Sequence, residues 1–148
     1  MKTAIAYYSE HHGNTKKLLD AICAVDKEVT LIDVTEKREV NLSDYDRIGF
    51  ASGIYFSKFA EQVLSFASVN LPAEKPVFFI ATCGNPMKIY FNSIRKVAND
   101  KQCKVLGEYL CLGYDTFGPF KLVGGIQKGH PTEQEIRDAV AFYQGLGE

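Results

Sequence analysis

The feature that most restricts this chain is a repeated alternation. Short apolar runs are each followed by a stretch whose apolar residues recur at helical spacing. Thr3-Ala4-Ile5-Ala6-Tyr7-Tyr8 is nearly continuous in apolar character, which marks a strand covered on both faces. Leu18, Leu19, Ile22 and Cys23 then fall on one side of a helix. Residues 29–34, 47–52, 76–81 and 105–112 predict further strands, with Pro76 at a first position, where its missing N–H matters least. Phe59, Val63, Phe66 and Ala67 predict a second helix, and Tyr90, Ile94, Val97 and Ala98 a third. Thr132-Glu133-Gln134-Glu135, directly after Pro131, reads as a capping box. It opens a last helix with the stripe Ile136, Ala139, Val140 and Tyr143. Residues 35–46 are polar and predict a connection holding one helical turn at most.

The element order is β-α-β-β-α-β-α-β-α, with double-sided strands. That implies an α/β three-layer sandwich, a five-stranded parallel sheet between helices. A length of 148 residues suits one domain, 1–148. In such folds ligands sit beyond the carboxyl ends of the strands, where strand order reverses. The loops after strands one, three, four and five are therefore the places to look, and they are rich in glycine, hydroxyls and aromatics.

Composition removes several function classes. Seventeen basic and eighteen acidic residues leave a net charge of −1, with no basic excess for a phosphate backbone, so no nucleic-acid partner is expected. No apolar run approaches the roughly 20 residues of a membrane helix, so no membrane insertion is expected. The apolar N-terminal segment is short and reads as a strand rather than a signal peptide. The four cysteines, Cys23, Cys83, Cys103 and Cys111, have no CxxC spacing and form no metal-like cluster with His130. They read as thiols in a reducing cytosol, so the expected location is cytoplasmic and no metal site is assigned.

Residues 9–15 join the first strand to the first helix. Gly13 permits a tight turn and close backbone approach. Asn14, Thr15 and Lys16 place N–H groups at a helix start, Ser9 and Thr15 add hydroxyls, and Lys16 and Lys17 raise the local potential. Such a loop suits a terminal phosphate. It is neither a GxxxxGK[ST] loop nor a GxGxxG fingerprint.

At these residues the chain resembles a flavodoxin. Tyr7-Tyr8-Ser9-Glu10-His11-His12-Gly13-Asn14-Thr15-Lys16-Lys17 is similar to the family's phosphate loop. Ser43-Asp44-Tyr45-Asp46-Arg47-Ile48-Gly49-Phe50-Ala51-Ser52-Gly53-Ile54-Tyr55 resembles its third strand and flavin loop. Gly113-Tyr114-Asp115-Thr116-Phe117-Gly118-Pro119-Phe120, with Gly124-Gly125 and Lys128-Gly129-His130-Pro131, resembles a short-chain flavodoxin-like subfamily. The resemblance implies strand order 2-1-3-4-5 and FMN at the switch between strands one and three. Three departures stand out. Where the family has [TS]-x-T-G-x-T, this loop holds Glu10 and His12 at the first two hydroxyl positions, with Ser9 one residue early. Tryptophan, a frequent flavin-stacking residue, is absent, and the chain is nearly neutral where the family's carriers are strongly acidic.

The cofactor-binding residues implied are Ser9, His11, His12, Gly13, Asn14 and Thr15 around the phosphate, and Ser52, Gly53, Ile54, Tyr55 and Phe56 after strand three. Thr82, Cys83, Gly84 and Asn85 would meet the ring's pyrimidine edge, and Tyr114 would supply a second wall or lid. Tyr55 or Phe56 supplies the first flat wall, a contact worth about 0.5–1.5 kcal/mol beyond burial. Gly53 allows a peptide flip beside the ring. Cys83 is a small ring-contacting residue rather than a phosphatase nucleophile, because Ile89 stands where a CxxxxxR loop needs arginine. His130 reads as a structural residue ahead of Pro131. No catalytic residue is assigned.

The expected function is that of an FMN-binding electron-transfer protein, shuttling electrons between a reductase and an acceptor through transient partner proteins. The alternative is an FMN-dependent NAD(P)H:quinone or small-acceptor reductase. A phosphorylation receiver is excluded, since Tyr8-Ser9 and Ser52-Gly53 occupy the places of its acidic residues. A flavin-less interaction domain would ignore added FMN.

Overall fold

A computed structural model describes residues 1–9, 13–113 and 129–147. The described elements are β1 (Thr3–Tyr8), α1 (Asn14–Val25), β2 (Val29–Asp33), β3 (Arg47–Tyr55), β4 (Lys58–Phe59) and α2 (Glu61–Asn70). They continue with β5 (Pro76–Cys83), a 3-10 turn (Lys88–Phe91), α3 (Asn92–Asp100), β6 (Lys104–Leu112) and α4 (Glu133–Gln144). The long strands are parallel and lie in the order β2-β1-β3-β5-β6, which is the expected 2-1-3-4-5 once the small β4 is set aside.

Side-chain alternation along the central strands sorts the core into two layers. Ala4, Ala6, Ile48, Phe50, Val77, Phe79 and Ala81 face the layer that contains Val63 and Phe66 of α2 and Ile94 of α3. Ile5, Ala51, Phe78 and Ile80 face the layer that contains Leu18, Leu19 and Ile22 of α1 and Ala139 and Tyr143 of α4. Both faces are covered, so these strands read as continuous apolar runs. The capping box at α4 is present: Thr132 Oγ1 accepts the Glu135 N–H at 3.2 Å, and Glu135 Oε1 accepts the Thr132 N–H at 2.9 Å.

Between β2 and β3 the chain crosses as irregular backbone with turns, and no helical turn forms there. Val34 and Leu42 nevertheless reach the core, so the segment covers the sheet as a helix would. Its backbone is fixed from outside. Asn70, at the end of α2, donates to the Arg38 and Phe66 carbonyls and accepts the Val40 N–H. Lys75 Nζ donates to the carbonyls of Ser43 and Tyr45.

The third strand is longer than its apolar run predicted. It reaches Tyr55, because Gly53 pairs with Thr82 of β5 and Tyr55 then pairs with Lys58 of β4. Phe56 and Ser57 form the turn of this hairpin, at φ 50° and 65°. Both are left-handed residues bearing side chains, at a cost of about 1–2 kcal/mol each. Phe59 therefore lies in β4 rather than on α2. It is fully buried against the rings of Phe79 and Phe91, centroids 6.4 and 5.8 Å away. Tyr90 likewise precedes α3, in the 3-10 turn.

Candidate functional site

At the carboxyl end of the sheet, the ends of β1, β3, β5 and β6 come together with the head of α1. Gly13 precedes α1 at φ +66°, a conformation that side-chain-bearing residues adopt at a cost. A Cβ placed there would meet none of the described residues within 4 Å. Thr15 and Thr82, both buried, share a hydrogen bond of 3.0 Å between hydroxyls, tying α1 to the end of β5. Ser9 Oγ accepts the Lys16 N–H at 3.2 Å, which ties the residue after β1 to the first turn of the helix. Lys16 is turned along the helix, its ammonium 2.6 Å from Asp20, and that hydrogen bond raises its pKa.

Asn14 is buried beside Gly113, the residue after β6. A Cβ on Gly113 would lie 2.6 Å from Asn14 Nδ2, so only glycine leaves room for that side chain. The Gly113 N–H donates to the Cys83 carbonyl at 2.9 Å, extending the β5–β6 pairing to the site. Gly113 is a site residue that sequence reasoning left out of its binding set; its signal is a glycine at the carboxyl end of an apolar strand. Tyr8, the last residue of β1, is another. Its ring meets that of Tyr55 edge-on, centroids 5.9 Å apart.

The other expected residues fall in distinct places. Ser52 is fully buried, accepts the Ala60 N–H at 3.0 Å and donates to the Gly53 carbonyl, so its hydroxyl works inside the hairpin. Gly53 sits in the sheet ladder, and the left-handed backbone near it belongs to Phe56 and Ser57. Ile54 and Tyr55 are half-buried at the end of β3, whereas Phe56 is 83% exposed at the hairpin tip. Cys83 and Gly84 are buried and Asn85 is exposed. Cys83 Sγ points at the Cys111 carbonyl, 3.6 Å away. Burial, with Glu135 and Cys83 nearby, pushes the Cys111 thiol up to about 12, so it stays protonated near neutral pH. His11, His12 and Tyr114 lie outside the described residues, as does Glu10.

His130 is held by Glu135, its Nδ1 hydrogen-bonded to Oε1 of the carboxylate. Glu135 also accepts the N–H groups of Thr132 and Leu112, joining the head of α4 to the end of β6. Burial works against its ionisation. The hydrogen bonds from Thr132, His130 and Leu112 outweigh that and hold its pKa below the usual value.

A family model for the flavodoxin domain matches residues 4–106, more than half of the chain. The chain belongs to the flavodoxin family. Within it, an uncharacterized protein of Methanocaldococcus jannaschii is 34% identical over 148 residues, spanning 99% of this chain and 98% of the relative. Among solved structures, oxidised flavodoxin 2 from Bacillus cereus superposes with a TM-score of 0.64 at 19% identity, covering 96% of this chain and 94% of its own. An NADH:FMN oxidoreductase in its apo form superposes with a TM-score of 0.62 at 15% identity, covering 100% of this chain and 91% of its own. At those identities the superpositions speak for the fold. Among the described residues of this flavodoxin-family chain, no helix is long and apolar enough to cross a membrane.

Proposed function

We propose that the chain binds FMN at the carboxyl end of its sheet and serves as an electron carrier between a reductase and an acceptor. One observation carries the reading. Gly13, in the left-handed conformation at the head of a helix, sits on the same sheet end as the Tyr8–Tyr55 aromatic pair, next to Asn14 packed closely against Gly113. A helix head with accessible backbone suits a phosphate, and a flat ring needs apolar walls with a few backbone partners.

In this reading Ser9, Gly13, Asn14 and Thr15 hold the phosphate, with His11 and His12 in the same loop. Ser9 acts by bracing the end of β1 onto α1 through the Lys16 N–H. Ile54 and Tyr55 wall one side of the ring, and Thr82, Cys83, Gly84 and Asn85 line its polar edge, with Tyr114 as a further wall. Ser52 and Gly53 shape the hairpin that presents Tyr55 and Phe56. Bound FMN supplies the one- and two-electron chemistry; the chain binds it, orients it and leaves an edge accessible. Solved neighbours include both a flavodoxin and an NADH:FMN oxidoreductase, so carrier and enzyme are separated by experiment.

Titrating the apoprotein with FMN while following flavin fluorescence tests the cofactor. Saturable quenching at one equivalent is the expected result, and no quenching would overturn the reading. The loaded protein is then supplied with NADH or NADPH alone. A carrier shows no steady-state consumption, whereas sustained turnover establishes the reductase instead.

A further inference from the structure

The amino end of the sheet, opposite the site described above, holds a buried charge. Arg47 opens β3, paired with Thr3 of β1, and is only 8% exposed. Arginine stays ionised inside a protein and is seldom buried without a carboxylate beside it. Among the described residues, no carboxylate lies within ion-pair distance of this guanidinium. Its contacts are neutral. Nε donates to Thr3 Oγ1 at 3.0 Å, and the guanidinium carbon stands 4.7 Å from the centre of the Tyr143 ring. Asp26 acts on it from beyond contact, its carboxylate accepting the Tyr143 hydroxyl at 2.6 Å. Thr3 takes only the Nε–H, and neither terminal nitrogen is sealed from solvent.

Arg47 lines a cavity of about 380 Å³ together with Met1, Asp46 and Pro76. Met1 precedes β1 and Pro76 opens β5, so the cavity lies at the amino ends of the three central strands. Met1 and Pro76 give it apolar surface. The Met1 ammonium is already taken by Glu28 at 2.8 Å. Asp46 accepts the Lys2 N–H at 2.7 Å, which fixes its carboxylate and leaves its charge in the wall.

These walls limit the occupant. A guanidinium presents paired N–H groups that match the two oxygens of a planar carboxylate. A second negative charge on the ligand would face Asp46 with no further unpaired base among the lining residues.

We infer that this cavity is a binding site for a small monocarboxylate with an apolar body. Arg47 holds the carboxylate, Met1 and Pro76 meet the body, and Asp46 turns away dianions. The site stands apart from the flavin reading, because it occupies the other end of the sheet.

The test titrates ¹⁵N-labelled protein with sodium benzoate at constant ionic strength. NMR follows the Arg47 Nε–H and the amides of Lys2, Thr3 and Asp46. Saturable shifts there are expected, with a Kd on the order of 1 mM, the scale open to a ligand of so few atoms. Sodium sulfate at the same ionic strength is expected neither to move these signals nor to displace benzoate. Asp46→Asn keeps an acceptor for the Lys2 N–H and removes the charge. It is expected to tighten benzoate by about three-fold or more and to admit sulfate. Arg47→Lys keeps the positive charge without the planar fork and is expected to weaken benzoate by about ten-fold. Should Arg47→Lys fail to fold, Asp46→Asn decides. Several results overturn the site: no saturable shift in the wild type, shifts centred on the Gly13 and Gly113 amides instead, sulfate competing as well as benzoate, or unchanged affinities in Asp46→Asn. An Arg47 that only braces β1, β3 and α4 would give the first of these.

Discussion

Gly113 shows how one missing methyl group shapes the candidate site. Asn14 fills the space where a Cβ would stand, at 2.6 Å from its Nδ2, and Asn14 is itself buried with little freedom to retreat. Gly113→Ala is expected to destabilise the fold by about 1–3 kcal/mol through overpacking. It is also expected to weaken FMN binding, because the displaced Asn14 lies at the head of α1. Urea denaturation and an FMN titration of the same variant check both halves. Gly13 is a different case: none of the described residues crowds its missing Cβ, and its left-handed backbone is what favours glycine. The sequence made Gly13 legible through its loop context. Gly113 was harder to see, because its reason is a side chain 99 positions away, the distance between residues 14 and 113.

Helix ends show how elements lean on one another. α2 carries no basic residue in its last turn; the Phe66 and Ala67 carbonyls accept from Asn70 Nδ2 and the Leu71 N–H, and the last carbonyls beyond them lack a partner within the helix. Lys101, just beyond α3, adds donors to this end of the helix. Its Nζ donates to the carbonyls of Ala67 at 3.2 Å, Ser68 at 2.8 Å and Leu71 at 2.7 Å. Lys101→Met keeps the side-chain length and removes the donors, and is expected to cost about 1–2 kcal/mol, read as a lower urea midpoint. α4 caps itself instead through Thr132 and Glu135, a device visible in the sequence because both partners lie three residues apart. The β3–β4 hairpin was not visible in that way. Its turn uses Phe56 and Ser57, neither a usual left-handed residue, so no local signal announced a reversal.

For the molecule as a whole, acid stability gathers two of these arrangements. Glu135 and Asp26 both have lowered pKa values, Asp26 mainly through the hydrogen bond donated by Tyr143 and also through the Glu28 N–H. A carboxylate with a lowered folded-state pKa contributes stability that is present above its unfolded value and disappears as pH falls through the folded value. The wild-type protein is therefore expected to lose stability below about pH 4.5, the ordinary glutamate range. Glu135→Gln should cost about 1 kcal/mol near pH 7 and progressively less toward about pH 3. Denaturation curves at both pH values would show the gap closing; a constant gap would rule out the carboxylate as its source.

The strand and helix alternation, the buried faces, the α4 cap, the glycine heading α1 and the family resemblance were all written in the sequence. Each depends on residues within a turn or two of one another, or on a periodicity that burial imposes directly. The tertiary structure decided what the hydroxyls and glycines of the site do. Ser52 turned inward to Ala60, Thr15 found Thr82 across the sheet, and Gly113 made room for Asn14. It also decided how the connection between β2 and β3 is held, as a coil fastened by Asn70 and Lys75. Those pairings follow from strand register and layer packing, which join residues far apart in the chain and leave no trace in any local window.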